Sequence, residues 1–337
     1  MKKINVGLNG FGRIGRAFAR IAFSGNYNFQ ITAVNTRKSQ AKELAYLLKY
    51  DSVYRTYDKE VTVEDNKIIV DGNAITAYNY SNPNEIPWQE HNVQIVVDAT
   101  GAFTTSEALK GHLHGTVQKV VLSAPAKDNE TPHIVLGVND KELENNYQII
   151  SNASCTTNSA SPLFLGLDLN FKVKKGFLVT AHAYTSTQPL LDDAGKDATR
   201  SRAAGLNIVP TTTGAAEAVV KTLPHLKGKI DGMAVRVPVP TVSFTIITAE
   251  VEKPTTVEEV NQTFKTLSET TLAGILKYED KPLVSSDYIG SSYSSIFDAN
   301  YTKVVDQTQI TICGWYDNEW GYSNRLVELV DRLAQSL

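Results

Sequence analysis

Cys155 lies in Ser151-Asn152-Ala153-Ser154-Cys155-Thr156-Thr157-Asn158, a run of hydroxyls and amides. An apolar face begins at Ala160 and continues through Leu163, Phe164 and Leu167, so the spacing predicts a helix with the cysteine at its start. Unpaired backbone N–H groups at a helix start favour a thiolate and a developing oxyanion, which suits a nucleophile that adds to a carbonyl. A buried structural role is the commoner fate of a free cysteine. It fits the other of the two cysteines, Cys313, in the strand-like Ile310-Thr311-Ile312-Cys313, better than it fits Cys155.

Of six histidines, His182 is embedded in the strand-like Val179-Thr180-Ala181-His182-Ala183-Tyr184-Thr185. An imidazole there is able to take a thiol proton and later a hydroxyl proton. Sequence separation alone does not pair it with Cys155. His112, His114 and His225 read as surface residues. Two cysteines and scattered histidines have no metal-ligand spacing, so no metal is expected.

Gly10-Phe11-Gly12-Arg13-Ile14-Gly15 falls between a strand-like run at residues 4–8 and a helical face of Ile14, Ala17, Phe18, Ile21 and Ala22. That context turns a glycine cluster into a dinucleotide-binding signature. Gly10 permits the tight turn, Gly12 clears the approach of the pyrophosphate, and Gly15 lets helix and strand pack closely. After the next strand, Ile31-Thr32-Ala33-Val34, the chain reads Asn35-Thr36-Arg37-Lys38-Ser39, with no acid for a ribose 2'-hydroxyl and two adjacent cations. This tilts the expected coenzyme from NAD towards NADP, unless Arg37 and Lys38 merely face solvent.

These residues need a scaffold. Apolar runs at Ile95-Val96-Val97, Val120-Val121-Leu122 and Ile134-Val135-Leu136 predict a mostly parallel sheet, with a hairpin between about 60 and 80 turning at Asp71-Gly72. A helix carrying Leu44, Leu47 and Leu48 follows Ser39, its expected cap. Beyond Cys155, long β-rich stretches at 176–184, 233–252 and 309–316 predict a largely antiparallel sheet with covering helices. The expected fold is therefore α/β: a Rossmann-type dinucleotide-binding domain over 1–152 and an α+β catalytic domain over 153–319. Leu326, Val327, Val330 and Leu333 make a last helix whose domain periodicity leaves open. With 337 residues, 33 Lys plus Arg, 36 Asp plus Glu and a formal net charge of -3, two domains are expected and a dedicated nucleic-acid binder is not. The sequence shows neither an export signal nor an apolar run long enough for a membrane, which points to a reducing cytoplasmic setting.

The chain resembles the phosphorylating glyceraldehyde-3-phosphate dehydrogenase family nearly end to end. The resemblance rests on Asn9 to Arg16, Leu48 to Ser52, Ser123 to Lys127, Ser151 to Asn158, His182 to Thr185, Pro210 to Ala216, Arg236 to Pro238 and Trp315 to Arg325. It implies Cys155 as nucleophile and His182 as its activating partner. It places Arg13 and Ile14 over the pyrophosphate, Thr100 and Ser123 in the cofactor cleft, and Asn318 on the nicotinamide carboxamide. Thr36 and Arg37 fall where the adenine ribose is held. Thr185 and Arg236 match one anion site; Ser154, Arg200, Thr213 and Gly214 match the other, and Thr156 joins the substrate-binding set. The partners implied are glyceraldehyde 3-phosphate and inorganic phosphate, in a homotetramer whose last helix, about 320–337, returns to the cofactor domain.

Several positions depart from the family pattern. Thr36 replaces the usual acid, and Asp193-Ala194 replaces a leucine-proline pair common in strictly NAD-using members. Thr187 and Thr199 replace an acid and an arginine, which bears on phosphate handling. The rival activities are an erythrose-4-phosphate dehydrogenase and a non-enzymatic binding role.

Overall fold

In the computed structural model of the chain, residues 3–195 and 197–337 are described, and they form two compact units. One takes the chain up to Ile134, Asp140–Ala153 and Ser323–Leu337; the other takes Val135–Asn139 and Ser154–Tyr322.

The first unit alternates strand and helix: β1 (Ile4–Asn9), α1 (Arg13–Ser24), β2 (Phe29–Asn35) and α2 (Ala41–Lys49). A small hairpin, β3 (Tyr50–Asp51) and β4 (Arg55–Thr56), precedes β5 (Val61–Glu64), β6 (Lys67–Val70) and β7 (Asn73–Tyr78). Then come β8 (Val93–Asp98), α3 (Ser106–Leu109), β9 (Lys119–Leu122) and β10 (Ile149–Ser151). The sheet order is β10-β9-β8-β1-β2-β7-β6-β5. Neighbours from β10 to β7 run parallel, and the β6 and β5 hairpin strands finish the edge antiparallel. Counted in chain order, the parallel strands follow the doubly wound arrangement, whose direction reverses between β1 and β8. Both faces of such a sheet are covered, so its strands are apolar nearly throughout. Val6, Leu8, Ile95, Val96, Val97, Val120, Val121 and Leu122 are all buried. Asp71 and Gly72 turn the β6–β7 hairpin with φ of 46° and 80°, the two positive angles a two-residue loop requires.

Two local expectations fail here. Ile134-Val135-Leu136 is buried but not a strand, because the chain turns at once, Val138 N–H bonding to Val135 O. An apolar run reports burial before it reports strand. Ser39 does not cap α2; Gln40 precedes the helix and its N–H donates to Glu43 Oε2 at 2.7 Å. Ser39 instead closes a turn, its N–H reaching Thr36 Oγ1 at 3.3 Å.

The second unit opens with α4 (Cys155–Phe171) and β11 (Val173–Ala183), followed by β12 (Val209–Thr211), α5 (Ala215–Thr222), β13 (Ile230–Val237) and β14 (Ser243–Val251). It continues through α6 (Val257–Glu269), β15 (Leu276–Glu279), β16 (Ser295–Asp298), β17 (Lys303–Val305) and β18 (Gln309–Tyr316). The sheet runs β12-β13-β11-β14-β18-β16-β15, with β17 on β18. Only the β11–β13 and β15–β16 pairs are parallel. Leu178, Ile247, Ile310 and Ile312 of the sheet pack with Leu163, Phe164 and Leu167 of α4, Val219 of α5 and Phe264 of α6. The last helix, α7 (Trp320–Gln335), belongs to the first unit from Ser323 onward, where Asp331 Oδ1 accepts the Asn28 N–H at 2.6 Å.

Candidate active site

Cys155 is the first residue of α4, and Ser154 caps that helix, its Oγ accepting the Thr157 N–H at 3.0 Å. His182 lies near the end of β11. Its Nε2 stands 3.4 Å from Cys155 Sγ. The other ring nitrogen, Nδ1, is 2.7 Å from Ala183 O and 2.9 Å from Arg236 Nη1. A carbonyl only accepts and a guanidinium only donates. Arg236 Nη1 itself donates to Ala183 O at 2.9 Å. The geometry thus assigns the proton to Nδ1, where it bonds Ala183 O, and leaves the Nε2 lone pair facing the thiol.

Register explains why these side chains meet. β11 pairs with β13 in parallel, and His182 is the direct partner of Arg236. Burial and the charges of Arg236 and then Arg200 push the His182 imidazole down to about 4, so at ordinary pH it is neutral and its Nε2 lone pair is free. Arg236 is itself lowered, by burial and then by Arg200, while the Cys155 sulfur opposes that shift. Two guanidiniums thus bear on one buried histidine, and planar guanidiniums suit the pairing of anions.

The other residues expected at the anion sites take varied positions in this unit. Arg200 is held by Thr211 Oγ1 at 2.8 Å and Thr212 O at 3.1 Å, with Asp197 at 3.6 Å. Gly214 sits at the N-cap of α5, and Thr213 Oγ1 accepts the Ala215 N–H at 3.1 Å. Thr185 and Thr187 share a hydroxyl contact of 2.8 Å. Thr199 points its hydroxyl at Asp197 Oδ1, and exposed Asp193 accepts the Ala194 N–H. Thr156 turns inward, its Oγ1 3.0 Å from the buried Tyr316 hydroxyl, so its side chain is committed to the core.

Three supporting residues escape a reading of the sequence. Tyr316 joins Thr156 to Thr180 Oγ1 at 2.8 Å and sets its ring edge-on to His182. Ser243 takes the Ala183 N–H at 3.1 Å and donates to Asn318 Oδ1 at 2.9 Å, fixing that amide. Ser243 follows Val242, whose φ of 66° is rare for a β-branched side chain and marks strain beside the site. No local pattern announces Ser243 or Val242; Tyr316 stands inside the Trp315 to Arg325 block, but nothing in that block marks its hydroxyl as a support.

The glycine motif occupies the first unit, at the carboxyl end of β1. Gly10 has φ of 99°, and a Cβ there would fall 2.7 Å from the Ala99 backbone. A Cβ on Gly15 would fall 2.3 Å from Gly10 O, so strand and helix meet backbone to backbone. At Gly12 a Cβ would meet nothing within 4 Å. Gly12 is the N-cap of α1, and no side chain caps that helix. The open cradle at an uncapped helix start fits a pyrophosphate. Arg13 turns its side chain to Asp51 and over the Tyr54 ring. Thr36, Thr100 and Ser123 follow β2, β8 and β9, along the same edge of the sheet. Thr36 Oγ1 is engaged with Ser39, and Arg37 and Lys38 are exposed.

This geometry makes one substitution informative. Gly12→Val is expected to fold with an unchanged melting curve, since its φ of -73° suits any residue and space surrounds it. Dinucleotide affinity should fall by roughly a hundredfold, the isopropyl group filling the pyrophosphate's place. A fluorescence titration showing wild-type affinity would remove the cradle from consideration.

Residues 4–106 match the family described as "Glyceraldehyde 3-phosphate dehydrogenase, NAD binding domain", and residues 154–318 match its "C-terminal domain". The chain is 48% identical to glyceraldehyde-3-phosphate dehydrogenase of Mycobacterium avium over 99% of each chain. It is 44% identical to glyceraldehyde-3-phosphate dehydrogenase 2 of Bacillus subtilis, covering 98% of this chain and 97% of the relative. Against glyceraldehyde-3-phosphate dehydrogenase 2 of Streptomyces avermitilis the identity is 49% over 97% of each. With both halves matched and likeness extending from one end to the other, this chain belongs to the glyceraldehyde-3-phosphate dehydrogenase family.

Proposed function

We propose that the protein oxidises glyceraldehyde 3-phosphate with inorganic phosphate to 1,3-bisphosphoglycerate, reversibly, through a thioester on Cys155. The observation that carries this is the 3.4 Å approach of Cys155 Sγ to a neutral His182 beside the Arg236 guanidinium. The Cys155 sulfur adds to the aldehyde carbon, and its proton passes through His182 Nε2 to the carbonyl oxygen. The backbone N–H groups at the start of α4 favour the negative charge that develops on that oxygen. His182, neutral again, then removes the hydroxyl proton of the thiohemiacetal as it is oxidised. A bound nicotinamide dinucleotide supplies the hydride acceptor. Inorganic phosphate attacks the thioester carbon, Cys155 leaves as thiolate, and the proton held on His182 Nε2 returns to it, restoring the thiol and the neutral imidazole. Arg236 with Thr185, and Arg200 with Ser154, Thr213 and Gly214, orient the two phosphates. Gly10, Gly12 and the Arg13–Ile14 backbone hold the coenzyme, with Thr100, Ser123 and Asn318.

The reading extends to NADP as an accepted coenzyme. No acid follows β2, and Arg37 and Lys38 stand exposed where a 2'-phosphate would be met. A homotetramer is part of the same proposal. Leu190, Leu191, Leu206 and Ile208 are 90%, 75%, 82% and 70% exposed, more apolar surface than one loop region leaves in water without a partner. No helix of the described residues is long and apolar enough to cross a membrane. Free thiols at Cys155 and Cys313 suit a reducing cytoplasm.

Coenzyme reduction should require aldehyde and phosphate together, with glyceraldehyde 3-phosphate preferred over erythrose 4-phosphate, and NADP should support a kcat/KM at least equal to that of NAD. Turnover indifferent to phosphate would exclude the phosphorylating reaction. A strong NAD preference would exclude only the role given to Arg37.

A further inference from the structure

His112, expected at the surface, is wholly buried, and so is Asp98. They belong to one hydrogen-bonded chain at the carboxyl ends of β1, β2 and β8, where the sheet order reverses. Trp88 Nε1 donates to His112 Nδ1 at 3.2 Å. An indole N–H only donates, so Nδ1 is the acceptor and the ring proton sits on Nε2. That nitrogen lies 3.2 Å from Asp98 Oδ2 and donates to it. Asn9 Nδ2 donates to the same oxygen at 2.8 Å; its 3.3 Å approach to His112 Nε2 is two donors sharing one acceptor. Asp98 Oδ1 accepts the Thr100 N–H at 3.1 Å and the Thr100 hydroxyl at 2.7 Å. The carboxylate thus accepts four hydrogen bonds, its full capacity.

The chain continues to both sides. Asn35 Nδ2 donates to Asn9 Oδ1 at 2.8 Å, and Asn35 Oδ1 accepts the Tyr80 N–H at 2.8 Å. Thr100 Oγ1 accepts the Ala102 N–H at 3.1 Å, and the Phe103 ring stands edge-on to His112. The loops after β1, β2, β7 and β8 are therefore tied to one buried carboxylate, and Gly10 rests on the Ala99–Thr100 backbone with no room for a Cβ.

We propose that His112 is a positioning residue for the dinucleotide, setting through Asp98 the loops at Gly10–Gly12 and Thr100–Phe103 and hence the affinity for coenzyme. This rests on the reading of that edge as the coenzyme site. Buried polar networks hold one arrangement only while every member is satisfied. Losing the Nε2–H donor leaves Asp98 short of a partner, and the cheapest repair is for Asn9 or the Thr100 loop to move.

Two near-isosteric variants separate this from a merely structural role. His112→Gln keeps an N–H in reach of Asp98, whereas His112→Asn keeps an acceptor for Trp88 but falls short of the carboxylate. By equilibrium titration with NAD and NADP, His112→Asn should bind about tenfold more weakly, equal to about 1.4 kcal/mol. Its KM for coenzyme should rise in step while kcat at saturation stays within about threefold, and His112→Gln should recover to within about threefold of wild type. Wild-type affinity in His112→Asn, or equal weakening in both variants, would overturn the proposal. Wild-type protein that binds neither dinucleotide would instead sink the coenzyme reading, and this inference with it.

Discussion

Cys155→Ser is expected to lower kcat by about 10⁴-fold or more while dinucleotide affinity stays within about twofold of wild type. A serine hydroxyl fits the space but holds its proton too tightly for a neutral imidazole to remove during attack. The sulfur is not ionised in advance either. Burial pushes the Cys155 thiol above its ordinary value, outweighing the Arg236 guanidinium and the hydrogen bonds from Thr156 and from the Cys155 backbone. The residue as a whole is only half-buried, which admits a reagent, yet the surroundings of the sulfur still disfavour charge. The helix start was expected to favour a resting thiolate, and in this site burial is the larger effect. Alkylation of the resting protein by iodoacetamide should accordingly go on accelerating above about pH 9, and His182 must act during addition rather than before it. Substantial turnover by the serine variant, with its identity verified by mass, would end the covalent mechanism.

The parts of this molecule that were legible in the sequence are those set by local constraint. Gly10 and Gly15 each answer a separate steric demand within one turn, and the structure shows backbone where a Cβ would fall at both, whereas the space at Gly12 is open. The polar run before Ala160 announces a helix start, and Ser154 is its cap. Strand pairing is different, because it is decided by residues far apart. Nothing near His182 indicates that Arg236 will be its register partner. Nor does a lone His112 between Gly111 and Leu113 reveal that Trp88 and Asp98 will enclose it. Burial of polar side chains is the least readable feature of all, since a histidine, an aspartate and two asparagines look like surface until their hydrogen bonds are found.

His182→Asn should lower kcat by about 10² to 10⁴-fold, the contribution of a positioned general base, while leaving coenzyme binding intact. It should also alter stability in a direction that a loss of packing would not produce. The wild-type imidazole titrates at about 4 in the fold against 6.5 ordinarily, so on acidification the unfolded chain takes the proton first. The stability tied to a neutral His182 is complete above about pH 6.5 and drains away as pH falls towards 4. Between about pH 7 and pH 4.5 that loss is roughly 2 kcal/mol, and an asparagine, which does not titrate, escapes it. Urea unfolding at those two pH values should therefore show a smaller acid loss in His182→Asn than in wild type, whatever the variant's stability at neutral pH. An equal acid loss in both proteins would mean that Arg236 and burial do not hold the imidazole neutral. The base would then have to be sought elsewhere, because a histidine already protonated near neutrality cannot take the thiol proton.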